Sequence, residues 1–412
     1  MTSFPKAGSG APATVAQLDR APRPAAAFTP TSSSGLRTVG VEEELLLVDA
    51  ATGAVLPDAT TMLAELSRTA MGADEQDSGT PRLAGPPGGT IEAEFQEQQL
   101  ETATRPVQQL ERLREELRHW RRVADDAAAL TGARVAALGT SPLAVVPKTT
   151  ESARYQAMRR QFGLTAAEQL TCGCHVHVSV HSEAEGVAVL DRIRIWLPTL
   201  LALSANSPMW QGVDSGFASF RSQAWNRWPC TGPTDIFGSA AAYHSAVESM
   251  IATQVPLDQR MVYFDARLSP RYPTVEVRVA DVCLRAEDAV LLAALTRALV
   301  ATAADEWRHD LVPPPVPTAV LRLGAWRAGR FALDGQLLDP WHGVPGPAWS
   351  VVWALYEHVR AALEDAGDDE LVRDLLVQVS KRGNGAHRQR AVVARSADVR
   401  LVVRDAIQQT QL

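Results

Sequence analysis

Three consecutive glutamates sit inside an otherwise apolar run. In TVGVEEELLLV, residues 38–48, β-branched residues and leucines flank Glu42, Glu43 and Glu44, and the run stops at the turn-forming stretch Asp49-Ala50-Ala51-Thr52-Gly53. Such a segment reads as a strand. Side chains alternate along a strand, so Glu42 and Glu44 share one face while Glu43 takes the other. Two carboxylates side by side repel each other. They are tolerated where water solvates them, as on an edge strand, or where a divalent cation lies between the oxygens, because Mg²⁺ prefers hard oxygen ligands.

The same question recurs on three other segments. IEAEFQEQQLETAT, residues 91–104, carries Glu94 and Glu101 seven positions apart, which places them on opposite sides of a plain strand. A bulge or break would bring them together, and Gly88 and Gly89 just before allow close backbone approach; a solvated polar strand is the alternative. In TCGCHVHVSV, residues 171–180, alternation sends Cys172 and Cys174 to one face and His175 and His177 to the other, which disfavours a single four-ligand zinc site. The histidine pair suits an oxygen-rich Mg²⁺ site, a phosphate or a hydrogen-bonded structural pair, with the thiols packed as small apolar groups. PTVEVRVADVCL, residues 273–284, puts Val275, Val277 and Val279 on one face and Glu276, Arg278 and Ala280 on the other. Glu276 and Arg278 read either as a structural ion pair or as a cation ligand beside a guanidinium whose planar fork fits phosphate oxygens. Finally, GNGAHRQR at 383–390 is a Gly-flanked basic turn that either holds phosphate through Arg388 and Arg390 or starts a helix.

Between these segments the pattern is helical: residues 58–68, 106–132, 187–205, 239–253, 286–309, 348–366, 369–381 and 387–409. In 106–132, Leu110, Leu113, Leu117, Trp120 and Ala124 form the apolar stripe, and the Glu- and Arg-rich remainder reads as solvated. Strands without a βαβα rhythm, together with grouped helices, predict an α+β fold: a curved antiparallel or mixed sheet with helices packed on one side. Residues 1–36, poor in periodicity and rich in Ala, Pro, Ser, Thr and Gly, read as a disordered tail; 37–412 reads as a single domain with a helical C-terminal part at about 318–410.

Composition excludes several classes. The 412 residues carry 40 Lys+Arg against 47 Asp+Glu, a formal charge of −7, without the basic excess that nucleic-acid binding requires. Four cysteines are too few for a secreted disulfide scaffold, no stretch reaches the length of a membrane-spanning segment, and no apolar leader follows a basic start, so a cytoplasmic protein without a membrane partner is expected. No P-loop, HExxH or dinucleotide-binding glycine motif is present. Only Lys6, Lys148 and Lys381 are lysines, which leaves cationic chemistry to arginine.

Taken in order, TVGVEEELLL, EAEFQEQQLETAT, CGCHVHVSV, LLALSANSPMWQG, RYPTVEVRVADVCL and GNGAHRQRA resemble the type 2 glutamate-cysteine ligase family of bacterial carboxylate-amine ligases, from about Arg37 to Gln409. The resemblance implies a glutamine-synthetase-like fold, with metals, nucleotide and amino acid on the concave face of the sheet. It implies metal ligation by Glu42, Glu44, Glu94, Glu101, His175 and Glu276, a catalytic role for Glu276 and Arg278, and ATP and Mg²⁺ as cofactors. Arg278, Arg388 and Arg390 become candidates for nucleotide phosphate, and His177, Asn206 and Arg221 for substrate. The reaction implied is phosphorylation of the glutamate γ-carboxylate by ATP, followed by attack of cysteine's amine to give γ-glutamylcysteine. The same chemistry on another acid or amine, a metal-dependent amidohydrolase and a silent homologue are the alternatives; the partners expected are small-molecule substrates, with a homodimer as the possible assembly.

Overall fold

The computed structural model describes residues 35–70, 82–84 and 89–412. Nearly all of the expected N-terminal tail, Gly88 and most of the Gly/Pro-rich loop ahead of Ile91 lie outside the described residues. The strands are β1 (Val39–Val48), β2 (Arg82–Ala84), β3 (Thr90–Ala93), β4 (Gln99–Ala103), β5 (Arg134–Ala136), β6 (Gly173–Ser179), β7 (Met209–Trp210), β8 (Val213–Asp214), β9 (Ala266–Leu268), β10 (Thr274–Asp281), β11 (Gln336–Leu338) and β12 (Pro345–Pro347). Eight of them form one sheet in the order β2-β3-β4-β1-β6-β10-β9, with β5 paired to the far half of β1. Every pairing in it is antiparallel. The α+β class expected from the sequence is therefore the fold observed.

β1 lies at the centre because it can pair on both sides: Glu42 sits opposite His175 of β6 and Ala103 of β4, and Glu44 opposite Glu101. One face of the sheet is apolar. Val39, Val41, Val176, Val178, Val275 and Val277 are buried there with Cys174, under the helix Ala286–Arg308 and its neighbours Glu183–Ile193 and Ala348–Ala366. A second cluster surrounds the far half of β1, where Leu45–Val48 meet Met62, Leu63, Ala124 and Ile407.

Glu43 points into this apolar side and is 1% exposed. Its partner is Arg121 of the helix Leu110–Ala129, which donates through Nε and Nη2 to the Glu43 carboxylate at 2.8 and 2.6 Å. Arg121 also donates to the carbonyl oxygens of Cys283, Leu284 and Thr410. The expectation that this helix keeps its charged residues in solvent thus fails at Arg121, which follows Leu117 by one turn and falls on the buried stripe.

Three other local expectations change. The helix expected over 187–205 is two, Glu183–Ile193 and Leu197–Ser204, with Pro198 opening the second. That expected over 387–409 is also two, Gly385–Ser396 and Arg400–Thr410, separated at Ala397, whose φ is 54°. On β10 the register against β6 shifts between Val277 and Ala280, so Ala280 lies opposite Cys174 in the core instead of sharing the charged face. Among the described residues no helix is long and apolar enough to cross a membrane.

The Glu43–Arg121 pair yields a stability prediction. Arg121→Met leaves a buried carboxylate unpaired and should cost about 3–5 kcal/mol, whereas Glu43→Met with Arg121→Met should recover most of that loss. Urea unfolding of the three proteins measures it; equal losses in the single and double variants would contradict the assignment.

Candidate active site

The face opposite the helices carries the charge. A cleft of about 1050 Å³, open mouth included, is lined by Glu42, Glu44, Glu94, Glu101, His175, His177, Glu276 and Arg278. Each arrives for a local reason. Glu42 and Glu44 alternate with Glu43 on β1, and His175 and His177 alternate with Cys174 on β6. Glu94 and Glu101 reach the same face by a route not anticipated: residues 94–98 are the turn of a hairpin, with Glu94 just beyond β3 and Glu101 on β4. The break that their spacing demanded is a reversal of the chain.

The carboxylates and imidazoles fall into three overlapping groups, each with potential ligand atoms within 4.8 Å of one another: Glu44, Glu94 and Glu101; Glu42, Glu101 and His175; and Glu42, His177 and Glu276. Burial and the charges of Glu42, Glu94 and Glu44 hold the Glu101 carboxyl well above its ordinary value. Burial raises Glu94 as well. Burial also acts on Glu42, but the neighbouring His177 and His175 outweigh it and leave Glu42 well below the ordinary range. His177 donates to or accepts from Thr274 Oγ1 through Nδ1 at 3.0 Å, and its buried Nε2, 3.4 Å from Glu42 Oε1, has no hydrogen-bond partner. A ring oriented through one nitrogen with the other free is the arrangement of a metal-binding histidine. Clustered carboxylates and an orphaned imidazole nitrogen fit a hard divalent cation.

Glu276 is doubly paired. Arg267 of β9 reaches both its oxygens, at 2.8 and 3.2 Å, and Arg278 donates to Oε1 as well. Against the cost of burial, these two guanidinium groups hold the Glu276 carboxyl far below its ordinary value. Arg267 did not emerge from the sequence. The signal was available, since DARLSPRYPTVEVRV folds as a β9–β10 hairpin with Arg267 directly across from Glu276. Arg154, Tyr155, Trp225, Trp228 and Tyr263 complete the wall and were likewise not anticipated.

The remaining candidates lie elsewhere. Arg388 pairs with Asp405 and Arg390 with Asp214, on the helix Gly385–Ser396 and outside the cleft. GNGAHRQR is a helix start. Asn384 caps it by accepting from the His387 amide, and Gly385 is required because a Cβ there would collide with Asn206 Oδ1. Asn206 is fully buried, its Nδ2 donating to Ala137 and Val282 carbonyls, and Gln389 donates back to it. It locks the C-terminal helices to the sheet and does not line the cleft. Arg221 is buried beside the cleft, and its guanidinium packs against Gly173 of β6, where a Cβ would force it to shift. Cys172 and Cys174 belong to none of the candidate cation groups; Cys174 is in the core, and Gln99 Nε2 approaches Cys172 Sγ at 3.4 Å.

Known proteins share this chain and fold. The profile of glutamate-cysteine ligase family 2 (GCS2) matches residues 38–409. A Streptomyces coelicolor protein named "Putative glutamate--cysteine ligase 2" is 52% identical over 91% of this chain and 99% of its own length. One from Paenarthrobacter aurescens, "Putative glutamate--cysteine ligase 2-1", is 48% identical over 91% of this chain and 95% of its own. Among solved structures, a glutamate-cysteine ligase from Francisella tularensis in complex with AMP aligns over 91% of this chain and 89% of its own at TM-score 0.63 and 14% identity. A bifunctional glutathione synthetase from Pasteurella multocida aligns over 91% of this chain but only 52% of its own, at TM-score 0.64 and 15% identity. At these identities the solved structures speak to the fold alone, and the sequence match speaks to the family: the chain belongs to glutamate-cysteine ligase family 2.

Proposed function

We propose that this chain is an ATP-dependent carboxylate-amine ligase that joins the γ-carboxylate of L-glutamate to the amine of L-cysteine through an acyl phosphate, releasing ADP and phosphate. The observation that carries the reading is the run of three overlapping groups of potential cation ligands, ending at a paired Glu276 and Arg278. The family name and the AMP complex of the Francisella enzyme support an adenine nucleotide as the phosphoryl donor.

Bound Mg²⁺ would neutralise phosphate oxygens and orient the transferring group. Glu44, Glu94 and Glu101 would hold one cation, and Glu42, His175, His177 and Glu276 would serve those nearer the phosphates. Arg278, held by Glu276 and lying 6.0 Å from the centroid of the Tyr263 ring, presents a fixed positive charge to oxygens that gain charge in the transition state. No covalent nucleophile is required. The four cysteines are free and buried, which supports a reducing compartment such as the cytoplasm.

Release of ADP from Mg·ATP across a panel of amino acids and amines tests the activity. Glutamate- and cysteine-dependent ADP release supports the full reading; dependence on another pair keeps the chemistry and changes the substrate; amide hydrolysis without nucleotide would overturn it.

Two further outcomes are expected. Because a cation binds the native cluster and not the unfolded chain, Mg²⁺ at about 100 times its Kd should stabilise the protein by about 2.7 kcal/mol per site, and Glu101→Gln should abolish most of that gain. Thermal melts with and without Mg²⁺ measure this independently of turnover. Arg278→Lys keeps the charge but loses the planar fork, so kcat should fall by about tenfold or more, equivalent to about 1.4 kcal/mol, in a protein of near-normal melting temperature. Near-normal kcat would reduce Arg278 to a structural partner of Glu276.

A further inference from the structure

A second cavity adjoins the cleft at the β9 edge, and Arg278 and Trp225 line both. Its remaining walls include Phe264, Asp265, Arg322 and Trp326. Asp265 immediately precedes β9 and is fixed by its backbone: its amide donates to Gly232 O at 3.0 Å, and its carbonyl accepts from the Arg278 amide at 2.8 Å. Its carboxylate is the anomaly. Among the described residues it accepts no hydrogen bond and joins no close ion pair, and only desolvation and the more distant charges of Arg322 and Arg221 act on it. The side chain is partly exposed and lines the cavity, so its carboxylate is open to a cationic or hydrogen-bond-donating ligand.

The neighbouring groups indicate the rest of that ligand. Arg221 is buried, lies 5.8 Å from the Trp225 ring centroid and donates from its terminal nitrogens to the Val279 and Arg278 carbonyls, which leaves Nε alone without a partner. Arg322 stands exposed at the rim, and Trp326 is 46% exposed beside it. One carboxylate, the guanidinium groups of Arg221 and Arg322 with that of Arg278 on the wall shared with the cleft, and aromatic faces complement an ammonium group attached to a carboxylate.

We propose that Asp265, with Trp225, Phe264 and Trp326, binds the ammonium group of the ligase's amine substrate, and that Arg221 and Arg322 receive its carboxylate, making that substrate an α-amino acid. The inference rests on the ligase reading above and extends it to the acceptor side. Desolvation pushes the Asp265 carboxyl up to about 7, into the range where it can take a proton from the ammonium group. The freed lone pair then forms the C–N bond at the acyl carbon while the C–O bond to phosphate breaks; phosphate leaves with the electron pair and takes up the second N–H proton.

Hydroxylamine separates the two halves of the reaction, because it is largely neutral near pH 7, carries no carboxylate and traps an acyl phosphate as a hydroxamate. Asp265→Asn should lower L-cysteine-dependent ADP release by at least about tenfold, while glutamyl hydroxamate formation stays within about twofold of the wild type. Trp326→Ala, at a half-exposed position, should raise KM for L-cysteine severalfold and leave KM for ATP and glutamate unchanged. Undiminished cysteine turnover in Asp265→Asn, parallel loss of both reactions in that variant, or an unchanged cysteine KM in Trp326→Ala would each overturn the acceptor assignment. If the wild type forms no hydroxamate and releases no ADP with any acid–amine pair, the ligase reading itself fails.

Discussion

The ion pair between Glu43 and Arg121 sets the frame on which the cleft depends. A strand with period two can lie in its sheet with either face toward the helices, and a one-residue slip exchanges them. Three successive glutamates would otherwise make both choices look alike. Arg121 removes the ambiguity: it is buried on the helix side, reaches only the odd-numbered carboxylate of β1, and is tied by three further bonds to the carbonyls of Cys283, Leu284 and Thr410. Burying Glu43 there obliges Glu42 and Glu44 to face the cleft. A buried pair of this kind adds little net stability over an apolar one, so its value lies in specifying register.

The cleft then has a polarity of its own. At one end, Glu44 of β1 and Glu94 and Glu101 of the β3–β4 hairpin form no ion pair with an arginine among the described residues; burial keeps both the Glu94 and Glu101 carboxyls raised, and the charges of Glu42, Glu94 and Glu44 raise Glu101 further. At the other, Glu276 is gripped by Arg267 and Arg278, and Glu42 by two histidines, so both carboxyls are lowered. The acidic end is incomplete without positive charge. The arginine end already holds positive charge in place, suited to meeting an anion. This gradient runs across the sheet from β4 to β9 and would orient a molecule carrying both a cation and a phosphate.

Much of this was legible in the sequence because it depends on alternation within single strands. The separation of Glu43 from Glu42 and Glu44, of Cys174 from His175 and His177, and the shared face of Glu276 and Arg278 all follow from period two. What was not legible depends on register and on distant partners. A turn hidden in a run of Gln and Glu brings Glu94 to Glu101; a one-residue bulge sends Ala280 to the core; Arg267 meets Glu276 only once the hairpin register is known. Arg388 and Arg390 sit in a convincing phosphate-like turn, but their partners, Asp405 and Asp214, lie far from that turn in sequence or on another element. Composition near the motif carried no trace of either.

A chain that uses arginine for nearly every cation must distinguish structural guanidinium groups from reactive ones, and hydrogen-bond satisfaction draws that line. Arg121 donates from Nε and both terminal nitrogens to five acceptors, and nothing on it remains to be offered to a ligand. Arg388 and Arg390 each form a two-point fork with a carboxylate. Arg278 differs: its side chain bonds only Glu276, its buried Nε has no partner, and it borders both the cleft and the adjoining cavity. Burying an incompletely satisfied guanidinium is unfavourable for folding alone, and the cost is offset when an anion arrives to complete its fork. Hydrogen-bond satisfaction also sets the partly exposed Asp265 apart from Asp281, a buried carboxylate that accepts from Ser207, Ser219 and the Asn206 amide and is thereby spent on structure. Unmet hydrogen-bonding capacity at Arg278 and Asp265, on either side of one backbone hydrogen bond from β10 to the residue before β9, is what a bound ligand would complete.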